Sequence, residues 1–192
     1  MTSQSESITG YRVMLRPVTS DDIPFIYRLG RAEPTAHFSW PQAVHSPSEQ
    51  QFTQAIALNV MAHFIVIGLK TGHPIGYVVA HDADLEHGTV HMGIFLLPTH
   101  QKVGLGAEAG GLLLKYLFEQ DSIRKVYGTA IDQTSPTRGW NRLFRQEACL
   151  REHCWFHGRY WNEYIFAIDR RDWNNLAKRF LGRLLSREGA HL

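Results

Sequence analysis

Two closely spaced glycines occur in Gln101-Lys102-Val103-Gly104-Leu105-Gly106, between two segments of different periodicity. The preceding segment, Thr89 to Leu97, is short and apolar, which is typical of a buried strand. The following segment, Leu105 to Gln120, carries apolar residues at helical spacing. A strand, a glycine turn and a helix aim backbone N–H groups at an anion, because a helix N-terminus carries partial positive charge. The pattern therefore predicts a phosphate-bearing ligand at residues 101 to 106.

The glycines could instead serve packing between a strand and a helix, and both interpretations are open at this point. Two nucleotide motifs do not fit the segment. A mononucleotide loop ends in Gly-Lys and then Ser or Thr, whereas Ala107 and Glu108 follow Gly106. A dinucleotide fingerprint needs three glycines at another spacing, and only two are in place.

The segment resembles the Q/R-x-x-G-x-G/A motif of the GNAT superfamily of acyl-CoA-dependent N-acetyltransferases. The resemblance is greatest to the branch that includes the ribosomal-protein N-terminal alanine acetyltransferases. It extends in order from about Tyr11 to Asp169 and is carried by Pro98 to Glu108, Asp132 to Ser135, Glu147 to Glu152 and His157 to Tyr160. It implies an α+β fold, with a mixed, mostly antiparallel sheet flanked by helices on both faces, and acetyl-CoA as the acyl donor.

Composition bounds the class of protein. A chain of 192 residues with 44% hydrophobic content can bury a sizeable core within one domain. No apolar run approaches the roughly 18 residues that span a bilayer. The first ten residues lack the basic and then apolar order of a secretion signal, so we expect a cytoplasmic protein. The net charge of +2 is concentrated near the C-terminus, which gives no support to nucleic-acid binding by the domain itself.

The chain divides into a flexible N-terminus (1–10), an acyltransferase domain (11–169) and a basic amphipathic C-terminal helix (170–192). In the domain, periodicity and turn residues predict both strands and helices. The predicted strands are Tyr11–Val18, a hairpin of His63–Lys70 and Ile75–His81, Thr89–Leu97, Lys125–Ile131, and a hairpin of Ala148–Trp155 and Tyr160–Ile168. The predicted helices are one that follows the first strand and ends at about Gly30, then about Pro47–Val60, Leu105–Gln120 and about Pro136–Gln146. The helix at Pro47 is indicated by a capping box in Ser46-Pro47-Ser48-Glu49 with proline at the first helical position.

The C-terminal helix has one apolar face, with basic residues largely elsewhere. The apolar residues are Trp173, Leu176, Ala177, Phe180, Leu181, Leu184 and Leu185. Such a helix docks on the protein's own body or on a second copy in a homodimer; the alternative is a membrane surface or an acidic partner.

His91 is the candidate general base. The resemblance implies a glutamate two residues before the glycine of the fourth strand, and counting back from Gly93 gives His91. An imidazole with a pKa of about 6.5 is mostly free to accept a proton at neutral pH. The alternative is a structural histidine on a strand. Gly93 itself indicates either a close backbone approach or a packing constraint.

The resemblance also implies the positions that hold the donor. Its pantetheine arm lies along the strand that ends near Leu97, with an oxyanion-binding N–H near Ile94 or Phe95. The expected cofactor-binding residues are Phe95, Leu96, Gln101, Lys102, Val103, Gly104, Leu105, Gly106, Asp132 and Ser135.

Asp132-Gln133-Thr134-Ser135 resembles the family motif N-x-x-S, with aspartate in place of asparagine. Ser135 is the candidate hydrogen-bond donor to the leaving thiolate, although a serine before Pro136 is also a good helix N-cap. Many members of the superfamily have a tyrosine acid where this chain has Gly139, so the acid is unassigned.

The acceptor amine is expected to bind in the loop from Arg31 to His45, through Glu33, Phe38 and Trp40. Aromatic walls with one carboxylate suit an ammonium group, although the same aromatics could simply cover the core. The acceptor class is open, and we prefer a small-molecule amine over a peptide N-terminus because no extended acidic groove is evident.

Two other kinds of site are considered and set aside. The cysteines Cys149 and Cys154 read as unpaired core residues rather than as a disulfide or a nucleophile. Histidines and acids crowd the segment from His81 to His91, but their spacing matches none of the zinc patterns, so no metal is expected.

The sequence thus predicts an acetyl-CoA-dependent N-acetyltransferase that acts by direct attack in a ternary complex. Two alternatives remain, namely a transferase for a longer or carrier-bound acyl group, and a CoA-binding module that has lost catalysis. Gly139 and Asp132, which depart from the family pattern, motivate the second of these.

Overall fold

The computed structural model describes residues 6–31, 48–56, 58–101, 104–131 and 143–175. Within these ranges the strands, numbered in chain order, are β1 (Ile8–Thr9), β2 (Val13–Pro17), β3 (Val60–Gly68), β4 (Pro74–Asp84), β5 (Thr89–Leu96), β6 (Lys125–Ile131), β7 (Arg145–Phe156) and β8 (Arg159–Asp169). The helices are α1 (Ile23–Arg31), α2 (Glu49–Ala55) and α3 (Leu105–Phe118), with a further helical segment over residues 170–175.

All eight of these strands form one sheet, in the order β1-β2-β3-β4-β5-β6-β8-β7. Neighbouring strands are antiparallel except β5 and β6, which are parallel because α3 crosses between them. The predicted mixed, mostly antiparallel sheet is confirmed.

Each face of the sheet is covered by helices. Strand β3 shows why, since Phe64 and Val66 face the α3 side while Ile65 and Ile67 face α1 and α2. A strand that is apolar at every position is buried on both faces. The prediction of helices on both faces is therefore confirmed.

Three predicted helix boundaries are wrong. Helix α2 begins at Glu49, with Ser48 as the N-cap in a capping box with Gln51, so Pro47 does not occupy its first position. Val60, predicted to end this helix, opens β3 instead. Gln146, predicted to end a later helix, belongs to β7, because pairing with β8 overrides local propensity there.

The β7–β8 hairpin corrects the interpretation of the cysteines. Both are free thiols, as predicted, but Cys149 is exposed and Cys154 is half-buried, so neither is a core residue. Pairing with β8 is irregular between Leu150 and Cys154, where Glu152 has a φ of 48°. Such a bulge breaks the alternation of side chains on which the sequence argument depended.

The start of the C-terminal segment packs on the protein's own body. The Arg170 guanidinium donates to the carbonyl groups of Phe118, Gln120 and Ile123, and so caps the end of α3. Trp173 is 4% exposed and belongs to the core on the α3 face. Residues 176–192, which carry the rest of the predicted amphipathic helix, lie outside the described residues.

Candidate active site

Strands β5 and β6 separate after a short parallel ladder. The ladder has three residue pairs, and the last joins His91 to Tyr127. Beyond it, β5 remains paired with β4 as far as Leu96, and β6 remains paired with β8 as far as Ile131. The sheet thus contains a wedge-shaped opening between residues 92–96 and 128–131, which we call the β5–β6 gap.

Main-chain polar groups line this gap. The N–H and C=O groups of a strand alternate in direction, so those of alternate residues in 92–96 point away from β4 and into the gap. They can hydrogen-bond an extended ligand as they would an added strand. Ile94 and Phe95 lie on this edge, and the assignment of an oxyanion-binding N–H near them stays a prediction.

His91 lies at the vertex of the gap, on the sheet face that packs against α1 and α2. Its ring is stacked 5.3 Å from that of Tyr127 and lies 5.8 Å from that of His81, measured between ring centroids. His91 on β5 is paired with His81 on β4 and with Tyr127 on β6. Side chains alternate along a strand, so Phe95, which is buried against the two helices, shares this face.

Burial lowers the pKa of the His91 imidazole below its usual 6.5, and the neighbouring His81 lowers it further, whereas Asp82 and Glu163 oppose the shift. His91 is consequently neutral at pH 7 and able to accept a proton. Its position beside the gap and its pKa both suit a general base, and that role stays a prediction.

Gly93 is explained by packing. A Cβ built on Gly93 would lie 2.9 Å from Cε2 of Phe95 and 3.1 Å from Cγ1 of Val79. The ring of Phe95 therefore occupies the space that a side chain at position 93 would need. Of the two interpretations considered from the sequence, the structure favours the packing constraint.

Gly104 forms the turn into α3. It is the N-cap, with a left-handed φ of 81°, and it has no side chain with which to cap the helix. The N–H of Glu108 donates to the carbonyl of Gly104 at 3.2 Å. The N–H groups of Leu105, Gly106 and Ala107 come before this first helical hydrogen bond, so they have no acceptor within the helix. They point out of its N-terminal end, which is a favourable position for an anion.

Gln101 ties this loop to the end of β5. Its Nε2 donates to the carbonyl of Leu96 at 3.0 Å. A Cβ built on Gly106 would lie 3.3 Å from Cδ1 of Leu96, so a glycine there lets α3 approach β5 closely. The structure brings several predicted cofactor-binding residues together at the open end of the gap, namely Phe95, Leu96, Gln101, Gly104, Leu105 and Gly106. Lys102 and Val103 lie outside the described residues.

A partly buried ion pair lies beside this loop, between Arg12 and Glu108, and was not predicted from the sequence. The Glu108 side chain is 1% exposed, and its carboxylate accepts from the N–H of Arg12 at 2.6 Å, from the N–H of Val13 at 3.2 Å and from Nε of Arg12 at 3.1 Å. The available signal was an acidic residue on the apolar face of the predicted helix, between Leu105 and Leu112. Such a residue needs a buried partner.

The described residues on the α1 and α2 face of the sheet form an apolar pocket. This shallow pocket between the helices and the sheet is lined by Ile26, Leu29, Gly30, Phe52, Tyr77 and Phe95. The Tyr77 hydroxyl lies 3.4 Å from Nδ1 of His63, and burial raises the pKa of the Tyr77 phenol. The predicted acceptor-binding residues Glu33, Phe38 and Trp40 lie outside the described residues, as do Asp132, Ser135 and Gly139.

The histidine and acid residues before β5 lie at the end of β4 and in the turn that follows it. Asp84 accepts from the N–H of His87 at 2.9 Å, and Nδ1 of His81 lies 2.8 Å from the carboxylate of Asp82. Among the described residues, no group of three or more histidine, cysteine, aspartate or glutamate side chains is placed to hold a metal ion.

The mixed sheet and the glycine turn into α3 agree with the fold that the sequence resemblance implies. The family model of the acetyltransferase (GNAT) domain matches residues 12–144, well over half of the chain, and the chain belongs to this family of acyltransferases. The predicted family and enzyme class are thereby confirmed.

Known relatives agree with this assignment. An uncharacterized N-acetyltransferase of Bacillus subtilis, YnaD, is 26% identical over 102 residues, a match that covers 52% of this chain and 59% of YnaD. The spermidine N-acetyltransferase from Vibrio cholerae, solved in complex with CoA and spermine, has a TM-score of 0.72 at 20% identity, over 85% of this chain and 99% of its own. RimL, a ribosomal protein acetyltransferase solved in complex with coenzyme A, has a TM-score of 0.71 at 15% identity, over 85% and 98%. At these identities the two solved structures show a shared fold.

None of the helices in the described ranges is long and apolar enough to cross a membrane.

Proposed function

We propose that the protein is an acetyl-CoA-dependent N-acetyltransferase that moves an acetyl group to a primary amine. The observation that carries the proposal is the β5–β6 gap, with His91 at its vertex and the α3 N-terminus beyond its open end. The gap offers main-chain groups to an extended arm, the helix end suits a diphosphate, and the neutral imidazole at the vertex suits proton transfer at the proposed reaction centre.

The described residues fit coenzyme A. Gly104 leaves the space before α3 without a side chain, and the amides of Leu105, Gly106 and Ala107 point toward that space. The β5 edge from 92 to 96 would hold the pantetheine arm, and Phe95 and Leu96 lie along it. Lys102, Val103, Asp132 and Ser135 complete the proposed set through the family motif. Both relatives solved with coenzyme A share this fold.

Acetyl-CoA, when bound, supplies an acyl group that is activated as a thioester. His91 accepts the proton that the acceptor amine loses as its nitrogen attacks, directly or through one water. A main-chain N–H of the β5 edge, near Ile94 or Phe95, stabilises the oxyanion. Ser135 donates a hydrogen bond to the departing sulfur. No covalent bond to the enzyme is needed, which suits a chain whose Cys154 thiol has a pKa raised by burial and by Glu163.

The acceptor we propose is a small-molecule amine in preference to a protein N-terminus. The carboxyl groups of Asp82 and Glu163 act electrostatically on His91 and oppose the lowering of its pKa, and such negative charges favour a cationic acceptor. Glu33, Phe38 and Trp40 are the proposed walls of its pocket. The relatives offer both classes, since one is a spermidine N-acetyltransferase and another acetylates a ribosomal protein. We propose the cytoplasm as the site of the reaction, where the two free cysteines stay reduced.

Mass spectrometry of an amine panel tests the proposal. The purified protein is incubated with acetyl-CoA and a mixture of polyamines, aminoglycosides, amino acids and short peptides. We expect one acetyl group on a small-molecule amine together with release of free thiol. Acetylation confined to peptides would exclude the preferred acceptor class. Binding of acetyl-CoA with no turnover on any amine would indicate a module without catalysis.

Thermal stabilisation by different acyl donors distinguishes transfer of an acetyl group from transfer of a longer acyl group. A ligand that binds only the folded state raises the melting temperature in proportion to the logarithm of its concentration over its Kd. We expect acetyl-CoA to stabilise the protein at least as well as longer acyl-CoAs do. Little effect of acetyl-CoA beside a large effect of a longer chain would favour transfer of that longer group.

The rate should depend on pH through His91. Its pKa is below 6.5, so the acid limb of kcat/KM is expected to have its midpoint below pH 6.5, where the imidazole gains a proton. His81→Gln removes a group that lowers this pKa, so the acid limb should move to higher pH, whereas Asp82→Asn should move it to lower pH. An acid limb that neither substitution moves would argue against His91 as the base.

The same histidine affects stability in a defined range of pH. Its folded-state pKa is lower than the unfolded value of about 6.5, so the unfolded chain binds more protons between the two values. Stability is therefore full above pH 6.5 and decreases as the pH falls through 6.5 toward the folded-state pKa. Initial rates in this range are paired with a circular dichroism check that the protein remains folded.

A further inference from the structure

We infer that Arg12 is a cofactor-binding residue, placed by Glu108 to contact the diphosphate of the donor. This inference rests on the proposed function. Arg12 lies just before β2, about ninety residues away in sequence from the glycine loop, and no family motif quoted above includes it.

The position of the guanidinium carries the inference. A Cβ built on Gly104 would lie 3.2 Å from Nη2 of Arg12 and 4.0 Å from Nη1. Both terminal nitrogens therefore flank the residue that opens α3, on the space that its missing side chain leaves. A diphosphate at this helix end would lie within reach of a cation that can donate two parallel hydrogen bonds to phosphate oxygens.

Glu108 explains how the guanidinium is held there. One carboxylate oxygen accepts from the backbone N–H groups of Arg12 and Val13, and the other accepts from Nε of Arg12. Gly10 makes room for this arrangement, since a Cβ on it would lie 2.7 Å from Oε1 of Glu108. Glu108, a buried residue of the first turn of α3, thus holds both the backbone and the side chain of Arg12.

The charges give a reason for the pair. A carboxylate in the first turn of a helix is favourable for that helix, but beside a bound diphosphate it adds like-charge repulsion. The positive charge of Arg12 offsets that of Glu108 and leaves the helix end favourable for an anion.

Calorimetric titration with coenzyme A tests the inference without relying on activity. We expect Arg12→Ala to weaken CoA binding by about 10- to 100-fold, the range for losing charge-assisted hydrogen bonds. Arg12→Lys keeps the positive charge but loses the two parallel hydrogen-bond donors of the guanidinium. Its affinity for CoA should therefore lie between that of the wild type and that of Arg12→Ala. It also provides the test if the alanine variant folds poorly. Titration with 3′-dephospho-CoA, which keeps the diphosphate, should show the same ratio between wild type and variant.

Arg16→Ala is the matched control. The Arg16 side chain is 32% exposed against 33% for Arg12, and it also pairs with a poorly exposed carboxylate, that of Asp22, but it belongs to the α1 side of the sheet. It should lose comparable stability and keep its affinity for CoA.

Equal CoA affinity of wild type and both Arg12 variants would overturn the inference. So would a loss that disappears with 3′-dephospho-CoA, because Arg12 would then contact the 3′-phosphate. Failure of the wild-type protein to bind CoA at all would overturn the proposed function as well, which distinguishes the two failures.

Discussion

His91→Ala is expected to lower kcat for acetyl transfer by about 100- to 1,000-fold, within the range that general acid–base catalysis contributes. The reason is positional, because His91 forms the last pair of the β5–β6 ladder and its burial keeps the imidazole neutral at pH 7. Free thiol release from acetyl-CoA, with the acceptor found in the amine panel, measures the loss. The Kd for acetyl-CoA should change little, since the residue acts on the acceptor's proton.

Two further variants separate chemistry from packing at His91. His91→Phe cannot accept a proton, so its kcat should be as low as that of His91→Ala. Because it keeps a ring that can stack on Tyr127, its melting temperature should be higher than that of His91→Ala. His63→Ala is the matched control, because His63 lies on the same sheet face and burial also lowers its pKa. That control should keep its rate while folded. Full activity of His91→Phe would show that His91 is a structural residue.

Gly104→Val is expected to reduce kcat/KM for acetyl-CoA by about 100-fold, the effect of misplacing a binding element by roughly an ångström. A φ of 81° is unfavourable for any residue with a Cβ and most of all for a β-branched one. The new side chain would also press on the Arg12 guanidinium, whose Nη2 lies 3.2 Å from the Cβ position. Both effects reorient the amides that begin α3. Calorimetric titration with CoA measures the loss directly.

Gly72→Val controls for backbone strain. Gly72 has a φ of 71° in the turn between β3 and β4, and a Cβ there would meet no atom within 4 Å. It should share the loss of stability, of the order of 1–2 kcal/mol for a left-handed φ, without a loss of CoA affinity. Equal CoA affinity of the Gly104 variant and wild type would contradict the assignment of this loop to the diphosphate.

Prediction from the sequence succeeded where the signal was local. The strand at Lys125–Ile131 was placed at its observed limits, and the glycine turn and start of α3 were placed at Gly104 and Leu105. Periodicity and turn residues act over a few neighbours, so they are readable without the fold. Helix α2 begins two residues later than the predicted start at Pro47. Both Ser46 and Ser48 offer a hydroxyl as an N-cap, and the capping box forms between Ser48 and Gln51.

Long-range partners were not readable in the same way. The family motif pointed to His91, but its position between His81 and Tyr127 depends on the register of three strands. The pairing of Arg12 with Glu108 joins residues 96 positions apart. Only Glu108 had a signal in the sequence, as an acidic residue on the apolar face of the predicted helix. Likewise, the exposure of Cys149 follows from the edge position of β7 and its bulge.

The amino-acid sequence by itself determined the positions of most strands and helices from Val13 onward, the glycine turn before α3 and the family to which the chain belongs, because each depends on short spacings along one segment. It did not predict β1, which lies in the segment expected to be a flexible N-terminus. Tertiary structure alone decided that β5 and β6 part after His91 and that the Arg12 guanidinium lies beside Gly104. Each of these depends on which segments become neighbours, and that is set by the burial of both sheet faces over the whole chain.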